Sequence, residues 1–334
     1  MSDSRLLGPF VRRFLLEEVI ANRSFSINTQ KSYRDSIHLL FSFIKDFQGT
    51  DPIRVTITQI TVDLLRAFLA HLEKERGNSI ATVNQRLNAL HSLFRFIGRQ
   101  VPEIVEQASH IQSLQLRRAP IPTMDYLDKR EIDALLAVPN QKCRQGLRDY
   151  ALLLFLYNTG ARASEAGTVA LDDLSLDPPP SVRLMGKGRK ARQCPLWTHT
   201  ATVLKELLGD RIQEPPNTFV FLNVRGQPIT RFGIHTLLER SVQKATEICP
   251  SLSSKRVSPH TIRHTTAVHL LRAGVDINTI RAWLGHVSLE TTNRYAEVDL
   301  ELKAKALETC AVEGANQSPL WRKDQDLMAF LVSL

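Results

Sequence analysis

A chain of 334 residues with 43% hydrophobic side chains is long enough for two domains with separate cores and too apolar to be a disordered polymer. Its 43 Lys and Arg against 34 Asp and Glu leave a formal charge of +9, which favours a polyanionic partner. No stretch approaches the roughly 18 apolar residues of a membrane span, so no membrane partner is expected and the place of action is cytoplasmic, on the nucleoid.

In the first hundred residues Ile37, Leu40, Phe41 and Ile44 recur at helical spacing, as do Leu65, Phe68, Leu69 and Leu72. Thr61 and Ser79 stand at N-cap positions, and a further helix runs through Val83, Leu87, Leu90 and Phe94. A helical bundle is expected over residues 1–108. The periodicity then fades into LRRAPIPTMD, whose prolines argue for an extended linker over 109–125. Arg117 and Arg118 there either touch a phosphate backbone or are simply solvated.

A second domain is expected over 126–310. Asp128 and Glu131 have capping-box spacing ahead of a helix through Ile132, Leu135 and Leu136. The apolar run Leu152–Tyr157 ends at Thr159-Gly160-Ala161-Arg162, which places Arg162 at a helix boundary against a core. SVRLM and ARQCPL flank Gly186-Lys187-Gly188-Arg189-Lys190 and read as a β-hairpin, with Lys187 at its mouth and Arg189, Lys190 and Arg192 adding charge. No G-x-x-x-x-G-K-[ST] is present, so the turn is not an ATP loop. Pro259 starts a helix that carries His260 and Arg263 on one face. Leu284-Gly285 ends the next helix ahead of His286, and Thr291-Thr292 precedes Tyr295 by one turn. Residues 311–334 form a tail with a short apolar helix, packed either on its own domain or on a neighbouring protomer. Residues 1–100 carry 14 Lys and Arg against 9 acids, and residues 126–300 carry 23 against 17, so both parts are basic.

His260 and His264 are four apart, but Thr261 follows His260 where H-E-x-x-H needs Glu, so His264 and His269 are read as structural. Cys143, Cys194, Cys249 and Cys310 lack metal or disulfide spacing. No metal and no cofactor is expected. Two arginines, a lysine, two imidazoles and a phenol suit phosphoryl transfer in DNA. Cations neutralise the pentacoordinate phosphorus while Tyr295 attacks.

In order, type and context, Arg162, Lys187, His260, Arg263, His286 and Tyr295, with LGHVSLETTNRYAEV around the last two, resemble the signature of tyrosine recombinases, the phage-integrase, Xer-type and Cre-like enzymes. The resemblance covers residues from about 10 to about 300. It implies a mainly α fold with a small β-sheet, in which an N-terminal SAM-like core-binding bundle and a C-terminal catalytic domain form a C-shaped clamp on DNA. It further implies Tyr295 as nucleophile, Lys187 as the proton donor to the leaving 5′ oxygen, and the other four as phosphate-binding or bracing groups. Glu165 matches an acidic position of the family and either orients a basic neighbour or forms a surface ion pair. The implied partners are double-stranded DNA at inverted-repeat-like core sites and further protomers, four in a synapse, with a related recombinase as an alternative partner. Integration, excision or transposition of a mobile element is the first functional expectation, and Xer-like dimer resolution the second. A type IB topoisomerase-like swivelase and a non-catalytic DNA-binding protein on the same fold are further alternatives.

Overall fold

The computed structural model describes residues 6–22, 27–119 and 125–285, apart from 187, 189 and 216. His286, Tyr295, the 311–334 tail, Lys187 and Arg189 therefore lie outside the described residues. The chain divides into two compact units, Met1–Pro122 and Thr123–Leu334. Among the described residues no helix is long and apolar enough to cross a membrane.

The first unit is helical. Helix α1 (Leu7–Arg13) runs into a wider π-helical stretch, Phe14–Asn22, and is followed by α2 (Ile27–Gln48), α3 (Val62–Lys74), α4 (Ile80–Gly98) and α5 (Val105–Gln112). The apolar stripes read from the sequence are the faces that meet: Leu40 and Ile44 of α2, Leu65 and Phe68 of α3, and Leu90 and Phe94 of α4 are all buried in one cluster. The expected caps are in place. Thr61 Oγ1 accepts from the amide of Leu64 at 3.1 Å and Ser79 Oγ from that of Thr82 at 3.3 Å, satisfying donors that a helix start leaves open. One expectation changes: the boundary at 108 falls inside α5, whose Ala108 and Ile111 are buried in the bundle. Ile104, Ala108 and Ile111 stand at i, i+4 and i+7, a stripe diluted by the polar residues between them.

The second unit opens with α6 (Lys129–Ala137), whose capping box is complete: Asp128 Oδ1 accepts from the Glu131 amide and Glu131 Oε2 from the Asp128 amide, both at 2.8 Å. Next come α7 (Arg144–Thr159), the short α8 (Ala163–Ala166), and strands β1 (Leu174–Ser175), β2 (Ser181–Met185) and β3 (Ala191–Pro195). The three strands form an antiparallel sheet in sequence order, and the β2–β3 register runs from Ser181↔Pro195 to Met185↔Ala191. Helices α9 (Thr198–Leu208), α10 (Arg231–Ala245), α11 (Pro259–Arg272) and α12 (Ile277–Leu284) complete the described unit. Helix α7 is its centre: Leu152 to Leu156 are all buried, because it packs against both α9 and α11. The fold is thus mainly α with one small sheet.

Candidate active site

Helix α7 ends where the site begins. Gly160 caps it in the left-handed conformation (φ 59°, ψ 27°), a conformation that favours glycine, and the chain turns at once into α8 with Arg162 as its N-cap. A Cβ on Gly160 would lie 2.5 Å from Leu284 Cδ2, so the turn is also closely packed. Glu165, the third residue of α8, reaches back: one carboxylate oxygen accepts from the Arg162 amide at 2.9 Å and the other from Arg162 Nη1 at 2.7 Å. The Glu165 side chain is only 3% exposed, whereas that of Arg162 is 32% exposed, so the acid is sunk and the guanidinium is presented. Of the two readings of Glu165, orientation of a basic group is the one the geometry bears out.

The carboxylate oxygen that takes the Arg162 amide also holds Arg192. Its Nη2 donates to Glu165 Oε2 at 2.7 Å and its Nε to the Trp283 carbonyl at 2.8 Å, and its side chain is 8% exposed. The expectation that Arg192 adds to an outward basic patch is therefore corrected. It shares the inner face of β3 with buried Cys194, opposite Leu184 of β2, because alternate strand residues face one way. Burial alone would push the Glu165 carboxyl up. The hydrogen bond from Arg192, the Arg162 amide and the two guanidinium charges overcome this and hold it below the ordinary carboxylate value.

Pro259 occupies the first turn of α11 with Ser258 as N-cap, as the sequence implies. His260 on that turn is exposed, but Arg263 one turn on is only 2% exposed. Its Nη1 donates to the Gly160 carbonyl at 2.7 Å and Nη2 to that of Leu284 at 2.6 Å, which ties α11 to the C-terminal ends of α7 and α12. The two residues share a face, but Arg263 is sunk where His260 is presented. Partial burial, then the charges of Arg263 and Arg162, pull the His260 pKa below its ordinary value and keep the ring neutral. Gly285 caps α12 in the left-handed conformation (φ 66°), the turn expected ahead of His286. His269 is structural: its Nδ1 lies 2.7 Å from the Tyr157 hydroxyl in the interior.

Arg162 and His260 line one cavity of about 290 Å³ together with Arg231, Phe232 and His235 of α10. Phe232 is 68% exposed with the Arg231 guanidinium 4.6 Å from its ring centre. No motif marks these three residues. Their only signal is an N-capping Thr230 followed by a cation and an aromatic at a helix start. In the hairpin turn the Gly186 amide donates to the Lys190 carbonyl at 2.9 Å, Gly188 is left-handed (φ 75°) and Lys190 is exposed. In the first unit Arg118 is exposed, while Arg117 pairs with Glu73 at 2.7 Å.

Comparison with known proteins agrees with this architecture. The phage integrase family matches residues 125–301, and the phage integrase N-terminal SAM-like domain matches residues 12–100. An integrase/recombinase of Sinorhizobium fredii, y4rC, is 36% identical over 335 residues, covering 100% of both chains. The tyrosine recombinase XerC of Bacillus subtilis is 32% identical over 301 residues, 88% of this chain and 93% of that one. Among solved structures, the XerH site-specific recombinase bound to palindromic difH substrate shares the fold with a TM-score of 0.69 at 22% identity, over 90% of this chain and 94% of that one. From the match to more than half of its length and from full-length relatives, the chain belongs to the phage integrase family of tyrosine site-specific recombinases.

Proposed function

We propose that this recombinase cuts and rejoins double-stranded DNA through a 3′-phosphotyrosine link formed by Tyr295, with Arg162, Lys187, His260, Arg263 and His286 as its catalytic partners. The supporting observation is the convergence of Arg162 and His260 on one cavity, with Glu165 aligning the Arg162 fork. An aligned guanidinium suits the nonbridging oxygens of a phosphodiester, since its fork matches two oxygens at once. The neutral His260 ring is suited to accept the phenol proton as the Tyr295 oxygen attacks phosphorus. The bond from phosphorus to the 5′ oxygen breaks, and Lys187 supplies the proton that the leaving 5′ oxygen takes up. Attack by the 5′ hydroxyl of another strand reverses the step. Each exchange makes one ester and breaks one, so bond energy is retained and ATP is not required.

Arg117, Arg118, Arg189 and Lys190 are the proposed backbone contacts, and four protomers on two duplexes the proposed synapse. The cellular role we assign is mobile-element integration or excision, on the full-length similarity to the Sinorhizobium integrase/recombinase. Similarity to XerC favours the second reading, a Xer-like resolvase, and flanking repeats or a paired recombinase gene beside the coding sequence separate the two.

The test of the chemistry is covalent trapping on a nicked suicide duplex carrying a site selected by the protein from random-sequence DNA. Wild type is expected to form an adduct and Tyr295→Phe none, with site binding kept within a few fold. An adduct that persists in Tyr295→Phe would remove Tyr295 from the mechanism.

A further inference from the structure

Arg192 lies where β3, the start of α8 and the end of α12 meet. It belongs to β3, the strand that leaves the hairpin turn carrying Lys187. Its Nη2 is bonded to Glu165 Oε2, which also takes the Arg162 amide, while Oε1 of the same carboxylate takes the Arg162 guanidinium. Its Nε is bonded to the carbonyl of Trp283, two residues before the Gly285 turn that leads to His286. Gly285 is packed on its stem, since a Cβ there would stand 3.0 Å from Arg192 Cδ. A guanidinium suits both bonds together: its Nε and Nη2 are separate donors held at fixed spacing on one planar group, whereas an ammonium carries its donors on a single atom.

From this geometry we infer that Arg192 is a positioning residue for DNA cleavage: through Glu165 it fixes the Arg162 guanidinium, and through Trp283 it fixes the turn before His286 relative to the Lys187 hairpin. The inference rests on the recombinase reading given above. It also explains why a cation is buried here at all. A buried arginine is costly unless its charge and its donors are met, and here the Glu165 carboxylate meets the charge and, with the Trp283 carbonyl, two of the donors.

The test is a double-mutant cycle read in single-turnover cleavage of the nicked suicide duplex, beside half-site binding and thermal unfolding. Arg192→Met is measured in wild type and in Arg162→Lys, which keeps the charge but has no fork for Glu165 to align and is followed over times long enough to capture slow cleavage. We expect Arg192→Met to slow cleavage about tenfold or more in wild type but less than about threefold in Arg162→Lys, the non-additivity of residues acting in one line. Half-site affinity is expected to stay within a few fold. Arg192→Lys, which keeps the charge and one bond, is expected to recover part of the rate, and it replaces Arg192→Met in the cycle if the latter does not fold. Equal slowing in both backgrounds, or no slowing in wild type, overturns the inference. So does loss of half-site affinity with a shallower salt dependence, which would make Arg192 a phosphate contact. If wild type forms no Tyr295-dependent adduct, the recombinase chemistry fails and the inference falls with it, an outcome distinct from an additive cycle in an active enzyme.

Discussion

Arg263 and Gly160 are joined by a 2.7 Å hydrogen bond from a buried guanidinium to the carbonyl that closes α7, two residues before Arg162. The same guanidinium reaches the Leu284 carbonyl, so two helix ends converge on one side chain of α11. The C-terminal ends of α7 and α12 leave carbonyls without intrahelical partners, and a cation there answers both their hydrogen-bonding need and their negative potential.

Replacing Arg263 by Lys is therefore expected to act twice. A lysine can serve one carbonyl but not both, and loss of one charge-assisted bond in the interior costs about 2–3 kcal/mol. That corresponds to a thermal midpoint lower by several degrees, on the order of 2–4 °C per kcal/mol for a unit of this size. Cleavage should fall by two to three orders of magnitude if the residue also stabilises the transition state, since one such donor is worth about 3–4 kcal/mol. Melting curves and adduct formation with EDTA present separate the effects. A destabilised variant that cleaves at wild-type rate would make Arg263 purely structural.

Gly160→Ala is expected to be among the most damaging single-methyl changes in the second unit. The left-handed backbone disfavours a side chain by about 1–2 kcal/mol, and the new Cβ would press on Leu284, which is fully buried. Denaturant unfolding should show a loss of about 2–4 kcal/mol, with overpacking added to backbone strain. Gly188→Ala, at a left-handed position with open space around it, supplies the contrast: backbone strain without a clash.

How much of this was legible in the sequence depends on range. The helix stripes, caps and hairpin are local patterns, and Thr61, Ser79, Asp128 and Pro259 do what their positions imply. Gly160 and Gly285 likewise mark helix ends by their chemistry alone. What the sequence hid is how a charge is used. Arg192 sits in the basic run KGRKAR and reads as outward, although a two-residue period from Cys194 turns it inward. The carbonyls that Arg263 serves are far away in the chain, and nothing local in HTIRH announces them. The cavity wall supplied by α10 is a tertiary product for the same reason.

Acid should weaken the second unit in two steps. His260 and His269 are both held below the ordinary value of 6.5, in each case chiefly by burial, with Arg263 and Arg162 adding to the effect at His260 and Arg272 at His269. The unfolded chain then binds protons first, so stability is complete above about pH 6.5 and falls as the pH drops through that value. Glu165 has the opposite kind of shift for an acid. Its lowered pKa contributes stability above the ordinary 4.5 that is lost only in stronger acid. Thermal midpoints at pH 7.5 and 5.5 should thus report chiefly the histidines, His91 of the first unit, also lowered by burial, among them. His269→Gln should shrink that difference, because a neutral ring can accept from the Tyr157 hydroxyl at Nδ1 and a protonated one cannot. A midpoint that rises between pH 7.5 and 5.5 would contradict the assignment.

Lys187→Ala is expected to slow cleavage of an ordinary phosphodiester strongly while leaving a 5′-bridging phosphorothiolate cleaved at close to the wild-type rate. The sequence supplies the reason for choosing this residue, a lysine between the two glycines of a turn whose ends are set by the β2–β3 register up to Met185↔Ala191 and by the bond from the Gly186 amide to the Lys190 carbonyl. A lysine within the basic run KGRK is a suitable proton donor, because neighbouring positive charge favours release of its proton. An oxygen leaving group needs that proton and a thiolate does not, so rescue by sulfur isolates proton transfer from binding. Equal slowing on both substrates would instead make Lys187 a backbone contact, and the exposed Lys190, or His260 once it carries the phenol proton, would become the donor to test by the same pair of substrates.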